Sequence, residues 1–235
     1  MANRAPFAPE EWYHCYNRGV DKRKVFEYAE DYTRFLLLLY VGNGSKSIHI
    51  SNLKDKRLAS VLEDASLDRG DPLVDIGAYC LMPNHIHLVL KEVRPGGIAL
   101  FMQKVFTGYT MYFNKKYERN GPLFAGAFKS KHIADDRYIK RALSYVHLNP
   151  AGLTDKKWKE KAADIAKVEK QIRNYSYSSA PDFESAARPQ KKILGKAVFE
   201  LFDTVPTIRE MIEDAYLYSL YSDDEGGAVN GAGAR

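Results

Sequence analysis

The chain has 235 residues, 45% of them hydrophobic, and a formal net charge of +5, a composition able to bury a core of ordinary size. The longest apolar run, Phe35 to Val41, is far too short to span a bilayer, and "MANRAPFAPEEW" lacks the apolar region of a signal peptide. Two cysteines, Cys15 and Cys80, exclude a disulfide framework and a four-cysteine zinc site; a cytoplasmic protein with no membrane partner is expected.

In chain order, "WYHCYN" (12–17) predicts a strand that ends at the turn "NRGVDKR". "EDYTRFLLLLYVGN" (30–43) predicts a helix stopped by Gly42 and Gly44. Residues 44–73 read as a polar excursion on the surface, with a short helix within "KRLASVLEDAS". Residues 73–82 predict a strand, Pro83-Asn84 a tight turn, and "HIHLVLKE" (85–92) its antiparallel partner. A long helix is expected over 96–119, a short strand within 123–133, and a helix over 135–149, ended by Pro150. This order is the split βαβ, ferredoxin-like plan of the α+β class: an antiparallel sheet with helices packed on it. Helices predicted at 156–172, 190–203 and 206–221 form a C-terminal helical extension, and the glycine-rich end is expected to be disordered.

Charge is unevenly spread. Residues 101–160 carry twelve Lys/Arg against five Asp/Glu, whereas residues 201–235 carry two against seven. With Tyr109, Tyr112, Phe113 and Tyr117 interleaved in the basic stretch, the middle of the chain suits a polyanion. A solvated helix face accounts equally well for the charge alone.

Alternate residues of a strand share a face, so His85 and His87 point one way while Ile86, Leu88 and Leu90 point into the core. Two imidazoles held on a rigid sheet are good metal ligands, although a third ligand is needed. The helix over 135–149 offers candidates. Tyr145 and Asn149 lie one turn apart, with Arg141 one turn and Tyr138 two turns before Tyr145. Ile139, Leu143 and Val146 form a separate apolar stripe. By itself, Asn149 before Pro150 is accounted for as a helix end, and Tyr145 as a half-buried tyrosine.

"HIH" followed by "YVHLNP" resembles the HUH single-tyrosine nucleases, and more specifically the REP-associated tyrosine transposases and related insertion-sequence transposases. "YHCYNRGVDKRKVF" (13–26), "AYCLMPNHIHLVLKE" (78–92), "YFNKKYERNGPLFAGAFKS" (112–130) and "YVHLNPAGL" (145–153) follow the family's order. The resemblance spans residues 13–153 and implies a nuclease domain, 1–153; the helical extension, 154–222, and the tail, 223–235, follow it. It implies that His85, His87 and Asn149 bind a divalent ion, Mg²⁺ or Mn²⁺, and that Tyr145 is the nucleophile. The implied reaction cuts and rejoins hairpin-bearing single-stranded DNA through a covalent 5′-phosphotyrosine, carried out by a monomer or homodimer. Where the family usually has an arginine before Phe128, this chain has Ala127.

DNA contacts are expected from Lys104, Lys115, Lys116, Arg119, Lys129 and Lys131 on phosphates, with Arg141 beside the nucleophile and Asn17 and Arg18 at the end of the first strand. Two competing readings are a transposase-derived regulator that binds nucleic acid without cutting, and a zinc hydrolase needing a nearby carboxylate base, for which Glu92 is the sole candidate beside the motif.

Overall fold

The computed structural model describes residues 6–155, 158, 164–184 and 188–224, with the side chains of Asp136 and residues 217–224 left aside. Four strands form one antiparallel sheet in the order β2-β3-β1-β4: β1 Trp12–Arg18, β2 Val74–Met82, β3 His85–Glu92 and β4 Lys129–Ile133. With α1 (Ala29–Gly42) joining β1 to β2 and α3 (Gly97–Lys116) joining β3 to β4, this is the ferredoxin-like α+β topology expected from the element order. The short helix α2, Leu58–Glu63, lies in the excursion between α1 and β2.

The period of two along each strand separates two cores. Tyr13 and Cys15 of β1 join Ile86, Leu88 and Leu90 of β3 in a cluster under α1 and α3. Trp12 of β1 and Val89 of β3 face the other way. There they meet Ile139, Leu143 and Val146 of α4 (Asp136–Leu148). The sheet is therefore covered on both faces, which is why nearly all of β2 is buried.

The 44–73 excursion is more than surface: Ile50, Val61 and Leu62 are buried in the same cluster as α1. Their cover explains the "FLLLL" run, since a helix buried all round has no polar face to keep. Asp31, fully buried at the start of α1, accepts hydrogen bonds from Lys116 Nζ (2.7 Å), Tyr117 (2.7 Å) and Tyr112 (3.0 Å). It also accepts from the backbone N–H groups of Glu27 and Tyr28. That hub ties α1 to the end of α3.

The C-terminal extension departs from expectation. Residues 156–157 and 159–163 of the first predicted helix lie outside the described residues; the described part is α5, Ile165–Arg173. A further short helix, α6 (Ala180–Glu184), follows. The helix expected over 190–203 is instead two 3-10 turns, Pro189–Ile193 and Phe199–Leu201. Gly195 between them donates its N–H to Ile76 O (3.0 Å), and a Cβ there would collide with the Asp75 carboxylate. Docking on β2 thus overrides the local helical pattern. The last helix, α7 (Ile208–Asp224), covers the third prediction, and residues 225–235 of the expected disordered tail lie outside the described residues.

Extension and sheet are stitched together by backbone. Leu81 N–H donates to Tyr177 O (3.0 Å), Ser179 N–H to Tyr79 O (2.9 Å), and Ser178 bridges Cys80 along the outer edge of β2. Beneath α4, the buried His147 meets the Ser179 hydroxyl at 2.9 Å, and that hydroxyl also accepts from Tyr79 N–H at 2.9 Å.

Candidate active site at the histidine pair

The register of the sheet lays out the site. His87 pairs with Tyr16 and His85 with Arg18 across β1–β3, while Lys129 pairs with Tyr16 and Lys131 with His14 across β1–β4. Directly paired residues share a face, so Arg18, Tyr16, His14, Lys129 and Lys131 all rise on the side of the two histidines. α4 crosses that face. Its Tyr145 ring lies edge-on to His87 (centroids 5.5 Å apart) and to His14 (5.6 Å). The predicted convergence of a sheet-borne imidazole pair with the Tyr145 edge of α4 is present.

The ring nitrogens show which atoms are left for a ligand. Asn84 Nδ2 donates to Lys22 O (3.2 Å), which fixes its Oδ1 toward His85 Nδ1 at 2.7 Å. His85 Nδ1 therefore carries the proton, and Nε2 keeps its lone pair. His87 Nδ1 lies 2.9 Å from His14 Nε2. With the proton on His87 Nδ1, its Nε2 is likewise open. Asn149 Nδ2 donates to Tyr145 O (2.7 Å), and its side chain reaches His85.

These residues fit a divalent cation. At a metal–nitrogen length of about 2.1 Å, two rings sharing one ion have centres up to about 6 Å apart, and those of His85 and His87 are 5.0 Å apart, nearly perpendicular. Nδ1 partners that orient a ligating imidazole are the usual surroundings of such a site. Burial lowers the pKa of all three histidines, that of His87 to about 3 and that of His14 to about 4, so they are neutral and able to ligate at pH 7. Among the described residues no three His, Cys, Asp or Glu side chains gather to hold an ion.

Tyr145 is half exposed. Burial, and secondarily Tyr16, raise its pKa above the ordinary phenol value. Both causes disfavour the phenolate. Arg141 lines the cleft beside Tyr145, together with Lys131 and Tyr138. Arg18 and Lys129 line a second cleft that reaches His85 and His87.

The other expected DNA contacts sit elsewhere. α3 packs on the opposite face of the sheet, carrying Lys104, Lys115 and Lys116, with Arg119 just beyond its end. Lys104 donates to Gly44 O (2.6 Å) and Lys46 O (3.1 Å), clipping the excursion to α3. Lys116 is held by Asp31, and Arg119 donates to Asn114 Oδ1 (2.8 Å). Asn17 is buried, donating to Gly126 O (3.1 Å) and accepting from Arg18 N–H (2.9 Å), so it shapes the 124–127 loop. Tyr109, one of the tyrosines interleaved in the basic stretch, is fully buried with its hydroxyl donating to Val25 O.

His14 was missed in the sequence. The alternation in "WYHCYN" already places it with Tyr16 and Arg18; only the β1–β3 pairing shows that it reaches His87. Glu92, the carboxylate that a zinc hydrolase would need, faces away: it accepts from Gly97 N–H (3.1 Å) and Ile98 N–H (2.7 Å) at the start of α3. That reading loses its base.

No protein-family model matches the chain, and no curated protein matches it. Among solved structures the chain is similar to a REP-associated tyrosine transposase bound to a REP hairpin, at 11% identity and a TM-score of 0.46, over 88% of this chain and 98% of that one. The strand order defines the fold and the side-chain geometry defines the site; so slight a likeness carries neither. Among the described residues no helix is long and apolar enough to cross a membrane.

Proposed function

We propose that the protein is a metal-dependent single-stranded DNA endonuclease and strand transferase, with Tyr145 as nucleophile and His85, His87 and Asn149 as ligands of Mg²⁺ or Mn²⁺. The observation that carries this reading is the meeting of the Tyr145 ring with the His87 imidazole on a face lined by Arg18, Lys129, Lys131 and Arg141. Hairpin-bearing single strands are the substrate class that the sequence resemblance implies.

Tyr145 Oη attacks the scissile phosphorus; the P–O3′ bond breaks, its electron pair stays on O3′, and the phenolic proton passes through solvent to that oxygen. The product is a 5′-phosphotyrosine and a free 3′-OH. Because the ester conserves the energy of the cut linkage, a 3′-OH can attack it and restore a phosphodiester without a nucleotide cofactor. The bound cation supplies neutralisation of the phosphate charge and polarisation of phosphorus. Imidazole and amide donors without thiolate, with hard phosphate oxygens completing the set, favour Mg²⁺ or Mn²⁺ over Zn²⁺. Arg18, Lys129, Lys131 and Arg141 orient the strand by its phosphates.

The raised pKa of Tyr145 favours one second reading, a regulator that grips DNA without cutting it. Incubation with labelled hairpin-containing single-stranded DNA and Mn²⁺, followed by a denaturing gel, separates the two. A protein–DNA adduct that disappears in Tyr145→Phe is expected. Salt-sensitive binding with no adduct under any divalent cation would establish the regulator instead.

A further inference from the structure

Tyr145 stands between two clefts. One, of about 340 Å³, passes His85, Arg18 and Lys129; the other, of about 730 Å³, is walled by Tyr138, Arg141 and Lys131. Tyr16, His87 and Tyr145 line both, so the clefts meet at His87 and Tyr145.

A polynucleotide cut internally has an arm on each side of the reacting phosphate. A site for it therefore needs two exits, whereas a site for a small phosphate ester needs one. We infer that the larger cleft is a nucleotide subsite, seating the residue of the single strand next to the scissile phosphate, with Tyr138 as its stacking platform. This rests on the DNA-cleaving reading above.

The walls have the required chemistry. Tyr138 lies two turns before Tyr145 on the same edge of α4 and is 55% exposed, while Ile139, Leu143 and Val146 do the packing of that helix. A tyrosine ring this exposed can stack any base. The Arg141 guanidinium is 5.9 Å from the centre of the Tyr138 ring, within reach of a base or its phosphate. Lys131 faces them from β4, and Ile133 and Ala142 give the cleft apolar walls. None of the described residues lining it is an Asp or Glu. Its volume lies within the range of roughly 300–1,000 Å³ that accommodates molecules of nucleotide size.

The test uses the full chain carrying Tyr145→Phe, so that binding is read without chemistry. Fluorescence anisotropy follows a labelled DNA hairpin with single-stranded arms, in a series that moves one abasic site along the arms. Tyr138→Ala is expected to weaken binding about tenfold, and Tyr138→Trp to preserve it. One abasic position should weaken binding to the Tyr145→Phe protein and become silent once Tyr138 is removed. It should abut the nick mapped from the adduct of the unmodified protein. Binding of Tyr138→Ala within twofold of its parent, or an abasic position equally damaging with and without Tyr138, overturns the subsite. An adduct formed normally alongside a silent Tyr138 refutes the subsite alone. Binding that depends on Tyr138 with no adduct from the unmodified protein keeps the cleft as a single-strand site and refutes cleavage.

Discussion

His14 Nε2 lies 2.9 Å from His87 Nδ1, joining the first strand to the third across the face that carries the candidate ligands. If that bond holds the His87 ring in the orientation and tautomer that a cation requires, His14→Ala lowers Mn²⁺ affinity by about 10–100-fold. Isothermal titration calorimetry measures this without any DNA. His14→Gln, which still offers an acceptor, recovers part of the loss. Unchanged affinity in both variants would deny His14 an orienting role.

Asp31 governs the behaviour of the fold in acid. Burial disfavours its charge, but the hydrogen bonds from Lys116, Tyr117 and the backbone prevail and lower its pKa below the ordinary 3.8. A depressed folded-state value means stabilisation that is complete above about pH 4 and fades as pH falls through the folded pKa. Asp31→Asn is expected to cost about 1–3 kcal/mol at pH 7, because an amide has one oxygen for the donors that converge on the carboxylate. Urea midpoints of the two proteins should draw together as pH falls below about 4; a constant gap would mean that charge is not the cause.

The lysines divide by face. Lys129→Gln and Lys131→Gln should each flatten the dependence of log K on log salt for single-stranded DNA by about 0.7. Lys104→Gln should leave that slope unchanged and cost about 1 kcal/mol of stability through the lost Gly44 and Lys46 carbonyl contacts. A slope that responds to Lys104 instead would place the DNA on the α3 side.

Ser179 supports α4, the helix of the proposed nucleophile, from below. Removing its hydroxyl strands both His147 Nε2 and Tyr79 N–H in a buried place. Ser179→Ala is expected to cost about 1–3 kcal/mol, seen as a fall in Tm of about 2–4 °C for each kcal/mol. A differential scanning calorimetry trace unchanged within a degree would show that the pair contributes nothing.

Much of the fold was legible because its signals are local. The alternation in "HIHLVLKE" separates the two faces of β3, and the spacing of Tyr138, Arg141, Tyr145 and Asn149 names one edge of α4. What stayed hidden is set by distant pairing. A basic helix face shows that Lys104, Lys115 and Lys116 are not core, yet not on which side of the sheet they stand. The reach of His14 depends on β1 lying beside β3. The 3-10 turns at 189–201 reflect Gly195 meeting β2 some 120 residues away in the chain, and no window of local sequence contains that encounter.

The pairing of residues 177–179 with Tyr79 and Leu81 has a consequence for self-association. It fills the rim of β2, where another extended segment would otherwise dock, and leaves β4 as the uncovered rim of the sheet among the described residues. That rim carries Lys129 and Lys131, whose like charges repel a second copy approaching strand to strand. Growth of one sheet into the next is thereby discouraged at both ends: by occupancy at one and by repulsion at the other.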